Sequence, residues 1–323
     1  MRRATLSDVA REAGVSVTTA SRALSGRGDL AASTRARVLR AADRHNYARA
    51  GETRGRPTTV DPRMIELVTG GFHHMWTDEV IVGAQRAASS IGCDLVLTAE
   101  RDDPADDWPA RIATRRSSGV VLAIIVPTRS QLATLRQLNI PVVLLDPRSE
   151  PHADLVSVGT TDFQGGADAA AHLLECGYER FALLRSAPPY RFGRERENGF
   201  RSVLREHGIT EVTVLGSPDD VVTLRAAERV GLFVVMDDLA VMALEAAAAA
   251  GIAVPEQLGV VGFDNIGSAL ASDLTTIEQP VRRMAARAVE LVHELRDSPL
   301  SPGGRFELPT RLVARGTTSS RAR

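Results

Sequence analysis

The first 47 residues carry apolar side chains at helical spacing in three short runs. The first run predicts a helix of about two turns, with Thr5 as its N-cap and Gly14 just past its end. Ser16 can cap a second helix from Val17 to about Leu24, and a third helix spans roughly Ser33 to Asn46. Two short helices joined by a tight, glycine-containing turn form a helix-turn-helix.

The same spacing predicts which side chains of this small bundle face inward and which face solvent. We expect the second and third helices to bury apolar residues together with the turn: Val15, Ala20, Leu24, Val38, Leu39 and Ala42. We expect the second helix to present the others outward: Val17, Thr18, Ser21 and Arg22.

From Met64 onward, short apolar runs alternate with amphipathic stretches. The runs are predicted strands: Ile65 to Val68, Asp94 to Leu97, Val120 to Val126, Val142 to Leu145, Phe181 to Leu184, Leu232 to Val235 and Leu258 to Val261. The amphipathic stretches are predicted helices: Val80 to Ile91, Gly165 to Leu174, Gly199 to His207 and Leu239 to Ala250. This alternation favours parallel sheets covered by helices on both faces, and the number of strands favours two doubly wound lobes over one sheet.

The formal charge changes sign between the predicted helical head and the rest of the chain. Residues 1–60 hold 12 Arg against 5 acidic residues, a formal charge of +7, while the remainder holds 27 Arg against 35 acidic residues, a formal charge of −8. A basic head on an acidic body predicts a polyanionic partner for the head alone. Cys93 and Cys176 are the only cysteines, and two isolated thiols indicate neither a disulfide framework nor a zinc site. We expect buried, inert thiols and no metal or cofactor.

No early apolar run of signal-peptide type and no stretch long enough to cross a bilayer is evident in the sequence. We therefore expect a cytoplasmic protein without a membrane partner. The chain also shows no phosphate-cradling glycine pattern and no nucleophile elbow, and the adjacent His73 and His74 make a poor metal site. These absences argue against an enzyme.

The head resembles a known family of repressors. The stretch from Leu6 to Ser16, followed by Thr19 to Gly26 and then Asn46-Tyr47, is similar to the headpiece of the LacI/GalR regulators. The resemblance implies that Val17, Thr18 and Arg22 read base edges in operator DNA, and that other residues contact phosphates: Thr5, Ser16, Thr19 and Ser21. The alternatives are a solvated surface arginine for Arg22, and helix caps or ordinary surface positions for the hydroxyl residues.

The linker departs from the family pattern. Family members commonly continue with Pro-Asn and a hinge helix whose Leu enters the minor groove, whereas this chain has two Gly and a Pro between Ala48 and Pro57, which oppose a helix. Arg54 and Arg56 can lie extended in a narrow minor groove, or the segment is a flexible tether. We predict a headpiece over residues 1–47, a linker over 48–62 and an effector-binding and dimerisation domain over 63–323.

The body resembles the same family, in the stretches Ile140 to Asp146, Gly259 to Asn265 and Leu274 to Pro280. The resemblance implies an α/β core like that of periplasmic sugar-binding proteins, joined to the all-α headpiece, with a ligand between two doubly wound lobes. Arg196 and Asp264 match the family's effector-contacting positions, and Asp146, also at the end of a predicted strand, is a third candidate; a carbohydrate is the favoured ligand. Trp76, predicted in the loop after the first strand, can stack on a sugar face.

Alternatives remain open for these effector residues. Arg196 and Asp264 can instead form a structural ion pair, and Trp76 can serve packing alone. Met236 stands where the family commonly has Asn, so the pocket can have diverged. A periplasmic binding protein would share the lobes but not the basic helix-turn-helix. The sequence therefore predicts a DNA-binding transcriptional regulator, a repressor that binds operator DNA as a homodimer under control of a small effector.

Overall fold

A computed structural model describes residues 5–24, 30–45, 47, 63–72, 74–100, 107–186, 190–226, 229–297 and 303–318. Its α-helices are α1 (Leu6–Ala13), α2 (Val17–Leu24), α3 (Ala32–Arg44), α4 (Met75–Ser90), α5 (Trp108–Arg115), α6 (Arg129–Gln137), α7 (Asp162–Glu175), α8 (Arg191–Glu206), α9 (Asp237–Ala249), α10 (Gly267–Ala271) and α11 (Val281–Asp297). A 3-10 helix covers Pro218–Ala226.

Its β-strands are β1 (Met64–Thr69), β2 (Asp94–Ala99), β3 (Gly119–Ala123), β4 (Val142–Leu145), β5 (Val156–Thr160), β6 (Arg180–Leu184), β7 (Thr213–Leu215), β8 (Val230–Val234), β9 (Leu258–Asp264), β10 (Thr275–Glu278), β11 (Arg305–Leu308) and β12 (Arg311–Val313). Of the helices that the structure describes, none combines the length and the apolar character needed to cross a bilayer.

Local caps define the first two helices. The Thr5 hydroxyl accepts from the Asp8 N–H at 3.3 Å while the Asp8 carboxylate accepts from the Thr5 N–H at 2.9 Å, which is a capping box. Gly14 ends α1 at φ 64°, a left-handed conformation that favours glycine. The Ser16 hydroxyl accepts from the Thr19 N–H at 3.0 Å and caps α2. The predicted helix-turn-helix is confirmed, including its caps.

The core of this bundle is built from small apolar residues. Val38, Ala20 and Ala42 are fully buried, as expected. The prediction for Leu39 is wrong: it is half-buried, and Ala41 is fully buried instead. Leu39 and Ala41 are two positions apart, a rotation of about 200° around the helix, so they lie on nearly opposite sides of it. Ser21, predicted to face outward, is also half-buried.

The twelve described strands form two sheets in the orders β11-β5-β4-β3-β1-β2 and β12-β10-β9-β8-β6-β7. The pairs along β2-β1-β3-β4-β5 and along β7-β6-β8-β9-β10 are parallel, and β12 pairs antiparallel with β10. β3, β8 and β9 are buried along their whole length. The doubly wound α/β architecture predicted from the apolar runs is confirmed.

Two compact units contain these sheets. The first unit comprises Met1–Pro147, Pro151–Val158 and Ala285–Arg305, and the second comprises Arg148–Glu150, Gly159–Met284 and Phe306–Arg323. In the second unit, alternate residues of β6 pack into different clusters: Ala182 and Leu184 into one, Phe181 and Leu183 into the other. Side chains of a strand alternate between faces, so the second sheet is covered by apolar side chains on both.

Two predictions for the first unit are wrong: where one strand ends, and where Trp76 lies. The apolar run from Val120 was expected to continue as a strand to Val126, but β3 ends at Ala123 because Ile124 adopts φ 55°. Trp76 does not lie in a loop: it occupies the first turn of α4, and only 8% of its surface is exposed.

Candidate functional site

The outer face of α2 carries the residues expected to read bases. Val17 is 45% exposed although it is apolar, and Thr18 and Arg22 are also exposed. Ala20 and Ala23 on the opposite side are buried in the bundle core and fix the direction of this face. A short helix held by its inner alanines therefore presents a mixed apolar and polar surface to a partner.

The hydroxyl residues expected at phosphates are engaged in helix caps. The Thr5 hydroxyl donates to the Asp8 carboxylate at 2.6 Å, and the hydroxyls of Ser16 and Thr19 lie 2.8 Å apart. The hydroxyls of Thr5 and Ser16 therefore act as helix caps. The phosphate contacts of Thr5, Ser16, Thr19 and Ser21 stay predictions. Arg54 and Arg56 lie outside the described residues.

A second candidate site depends on the close approach of α7 and α8 in the second unit. A Cβ added to Gly166 would lie 1.9 Å from the Arg196 carbonyl oxygen, and one added to Gly199 would lie 1.8 Å from that of Phe163. Backbone packs directly on backbone at both positions, so only glycine fits. This contact brings the first residue of α7, Asp162, beside the guanidinium groups of α8.

Arg196 is the centre of a buried ionic network. Its Nε donates to Asp162 Oδ1 at 3.0 Å, and its Nη1 donates to the Val235 carbonyl at 2.7 Å and to Asp264 Oδ1 at 3.4 Å. The guanidinium carbon lies 3.7 Å from the centre of the Phe263 ring, a cation–π contact. The Arg196 side chain is 1% exposed. The structure therefore realises the ion-pair alternative for Arg196 and Asp264.

Three residues that sequence reasoning missed complete this network. Arg191 Nη2 donates to Asp162 Oδ2 at 3.1 Å, so Asp162 bridges two guanidinium groups. Gln279 Nε2 donates to Asp264 Oδ1 at 2.5 Å. Asp162 lies just after β5, at the carboxyl end of a parallel strand, where functional side chains of such sheets commonly meet. The sequence gives no comparable signal for Gln279.

Asp237 forms a separate buried contact in the second unit. Its carboxylate accepts from the Thr276 hydroxyl at 2.6 Å and from the Ile266 N–H at 3.3 Å. Burial raises the pKa of Asp237 to about 6, against the lowering effect of these hydrogen bonds. Met236, the residue that departs from the family pattern, is the N-cap of α9 and packs against the core cluster that contains Phe263.

A pocket of about 270 Å³ opens beside the network, within the second unit. Its lining combines network residues with neighbours from the starts of α7 and α8 and from β11: Thr161, Asp162, Phe163, Gln164, Arg191, Glu195 and Glu307. Its volume is close to the lower end of the range for small-molecule sites. The pocket can therefore admit a ligand of about the size of a sugar next to Asp162.

The other two expected effector residues belong to the first unit. Asp146 follows β4, is 2% exposed and adopts φ 47°, and its N–H donates to the Val158 carbonyl at 2.8 Å. Trp76 is buried along α4 with residues such as Val80 and Ala84, which favours the packing alternative. The structure thus brings Arg196 and Asp264 together, and the effector roles of Asp146 and Trp76 stay predictions.

Neither cysteine belongs to these sites. Cys93 and Cys176 are both buried, and burial raises the pKa of the Cys176 thiol, which keeps it protonated at neutral pH. Within the part of the chain that the structure describes, no group of three or more His, Cys, Asp or Glu side chains is arranged to hold a metal ion.

Known proteins resemble the chain along nearly its whole length. Residues 5–50 match the family described as bacterial regulatory proteins, lacI family, and residues 170–318 match a periplasmic binding protein-like domain. The ribose operon repressor of Halalkalibacterium halodurans is 30% identical over 332 residues, which cover 97% of this chain and 97% of the relative.

Solved structures agree with the sequence relatives. The transcriptional regulator CelR–cellobiose complex matches with a TM-score of 0.73 at 25% identity, over 98% of this chain and 100% of that chain. The lac repressor dimer bound to operator and the anti-inducer ONPF has the same fold, with a TM-score of 0.71 at 22% identity over 99% of this chain and 100% of that chain. Because the relatives are transcriptional regulators, the prediction of a regulator over an enzyme is confirmed. The chain belongs to the LacI family of bacterial regulatory proteins and is a DNA-binding transcriptional regulator.

Proposed function

We propose that this regulator is a cytoplasmic repressor that reads a pseudo-palindromic operator as a homodimer, with α2 of each protomer in the major groove. The exposed face of α2 carries the proposal, because Val17 and Thr18 supply apolar and hydroxyl contacts and Arg22 supplies a guanidinium. An arginine on such a face commonly binds guanine through two hydrogen bonds. The dimeric operator complex of the lac repressor, which has the same fold, supports the assembly.

We assign the proposed roles to three consecutive segments of the chain. Residues 1–47 bind DNA, residues 48–62 connect, and residues 63–323 bind the effector and the second protomer. Thr5, Ser16, Thr19 and Ser21 are proposed to contact phosphates near the ends of α1 and α2. Arg54 and Arg56 are proposed to enter the minor groove at the centre of the operator.

The effector is proposed to be a carbohydrate that binds at the pocket beside Asp162. The cellobiose complex and the ribose operon repressor among the relatives support this class of ligand. Asp162, which lines this pocket, has a carboxylate of the kind that sugar hydroxyls bind. Operator affinity responds only if the effector binds the DNA-competent and DNA-incompetent conformations with different affinity.

Selection of operators from random duplexes with the purified full-length protein tests the proposal. We expect an enriched site with two half-sites related by a dyad, spaced by about one turn of the duplex. Mobility shifts at fixed salt should then show at least about a thousandfold preference for this site over random DNA. Enrichment of a single, asymmetric half-site, or binding without sequence preference, would contradict the proposed mode of reading.

A further inference from the structure

The third helix of the head contacts a helix of the effector-binding domain. Asp43 Oδ1 accepts from the Ser130 N–H at 3.3 Å, a hydrogen bond between residues that are 87 positions apart. Asp43 lies in the last turn of α3, and Ser130 is the second residue of α6. The two helices contact each other within the first compact unit. The head is therefore joined to this domain by a tertiary contact as well as by the linker.

Asp43 completes the N-terminal cap of α6. The first N–H groups of a helix have no acceptors within it. The Thr128 hydroxyl accepts from the Gln131 N–H at 3.2 Å, and the Gln131 side chain accepts from the Thr128 N–H at 2.8 Å. This local capping box does not use the Ser130 N–H, which donates to Asp43 of the head. The Asp43 carboxylate also faces the positive end of the helix dipole, so hydrogen bonding and charge both favour the contact.

The face of α3 that carries Asp43 differs from the face that packs inside the head. Leu39 lies four residues before Asp43 and therefore on the same face of the helix. It is half-buried, yet among the described residues it does not belong to the apolar core cluster of the head, which includes Val38, Ala41 and Ala42. α3 thus has one face for the core of the head and a second face, with Leu39 and Asp43, outside that core.

The recognition face of the head is exposed while this contact is made. Asp43 is on α3, whereas Val17, Thr18 and Arg22 are exposed on α2 in the same structure. Contact with α6 and base reading therefore use different helices of the head. An inhibitory contact would cover α2, so the observed contact indicates a head that is held ready for DNA.

We propose that α6 is a docking site for the head of its own chain, and that Asp43 is a positioning residue that fixes the head for DNA binding. The linker sequence supports this role, because Gly51, Gly55 and Pro57 oppose a helix that would fix the head by itself. A head that is already fixed loses less freedom when it binds DNA, and two fixed heads accept one spacing between half-sites. The inference rests on the proposed function, because it takes the pseudo-palindromic operator as the target.

Crosslinking without DNA tests the contact itself. The full-length variant Leu39→Cys with Ser130→Cys keeps Asp43 and the N–H of residue 130, and both natural cysteines are buried. We expect a bismaleimide with an ethylene spacer to join the two new thiols within one chain, as shown by mass spectrometry after digestion. Ser33→Cys with Ser130→Cys is the matched control, because Ser33 is exposed at the other end of α3, about 15 Å from Asp43 along the helix. Equal yields from the two pairs, or links only between chains, overturn the proposal.

The dependence of crosslinking on Asp43 is measured in the Leu39→Cys, Ser130→Cys background. Asp43→Ala removes the acceptor and should slow crosslinking by roughly threefold or more. Asp43→Asn has the same charge as Asp43→Ala but keeps a side-chain oxygen that accepts from the Ser130 N–H, so it should retain most of the rate. Equal rates in these two variants overturn the role assigned to Asp43.

The spacing between half-sites tests the function of the contact. The selected operator is lengthened or shortened at its centre by one base pair at a time, and the affinity of the full-length protein is measured for each duplex. We expect Asp43→Ala to bind the best spacing roughly tenfold more weakly and to discriminate less among spacings, with unchanged affinity for a single half-site. Asp43→Asn should keep the profile of the unchanged protein. An unchanged profile in Asp43→Ala, or an equal loss at every spacing, overturns the positioning role.

The two kinds of experiment separate this inference from the proposed function. If the unchanged protein binds an operator with a dyad but crosslinking does not depend on Asp43, only the docking inference fails. If the unchanged protein binds no operator with a dyad, the proposed function fails, whatever the crosslinking shows.

Discussion

The outer face of α2 and the network around Arg196 are the two candidate sites of this protein, and they differ in burial. Val17 on α2 is 45% exposed, whereas the Arg196 side chain is 1% exposed and ionically paired. An exposed recognition residue contributes little to folding, so its substitution changes binding alone. Substitution of a buried, paired charge changes folding stability as well as binding, because the partner that is left is desolvated and uncompensated. The two sites should therefore respond differently to the same kind of substitution.

The strongest test of this difference is Arg196→Ala. Removal of the guanidinium takes from Asp162 one of its two cationic partners and from Asp264 its contact with Arg196, and we expect the free energy of unfolding to fall by about 3–5 kcal/mol. Urea unfolding followed by circular dichroism measures it. Arg194→Ala is the control, because Arg194 is exposed on the same helix, and its effect should stay within about 0.5 kcal/mol. Equal stability of the two variants would show that the network is not buried in solution.

The packing that assembles the network can be tested at two glycines of α8. Gly199→Ala places a Cβ 1.8 Å from the Phe163 carbonyl oxygen, so α7 and α8 must separate, at a cost of about 2–3 kcal/mol in unfolding free energy. In Gly193→Ala the nearest atom to the new Cβ is the Ser186 hydroxyl at 3.8 Å. The unfolding free energy of this control variant should stay unchanged or rise by up to about 1 kcal/mol, because alanine has the higher helix propensity. A Gly199→Ala protein as stable as the control would contradict the backbone contact.

On the exposed site, Arg22→Ala should change binding without changing stability. We expect specific operator affinity to fall by about 1–3 kcal/mol through loss of one base contact, with affinity for random DNA nearly constant. Fluorescence anisotropy on both duplexes measures the two affinities. Arg40→Ala, an exposed arginine on α3, is the control and should lower both affinities alike, if at all. Equal losses on both duplexes for Arg22→Ala would make Arg22 a phosphate contact.

A smaller, pH-dependent effect is expected at Asp237. Its folded-state pKa of about 6 lies above the ordinary value of 3.8, so the native state holds this proton more tightly than the unfolded state. Its contribution to stability is therefore fully present below pH 3.8 and is lost as pH rises through about 6. The slope is at most about 1.4 kcal/mol per pH unit. The unfolding free energy measured between pH 3.8 and about 6 should fall with this slope in the unchanged protein and with a weaker slope in Asp237→Asn. Identical slopes in the two proteins would refute the raised pKa.

The sequence by itself determined the helix-turn-helix, seven of the twelve described strands, the two-lobe architecture and the family, whereas β5, β7, β10, β11 and β12 were not predicted from it. Thr5, Gly14 and Ser16 determine where α1 and α2 begin and end through contacts within a few residues, and such local chemistry can be read from the sequence. The apolar runs that became β4 and β8 are buried along nearly their whole length, so their continuous apolar character was sufficient to predict them. The outward face of α2 followed from the same periodicity.

Only the tertiary structure decided how the charged residues pair. Asp162 and Arg196 are 34 residues apart, and their contact depends on the distance between two helices, which Gly166 and Gly199 set through backbone packing. The burial of Trp76 and the exchange of Leu39 for Ala41 likewise depend on the exact rotation of a helix against its neighbours. Periodicity defines a face to within about one residue, but it does not specify which distant side chains that face meets.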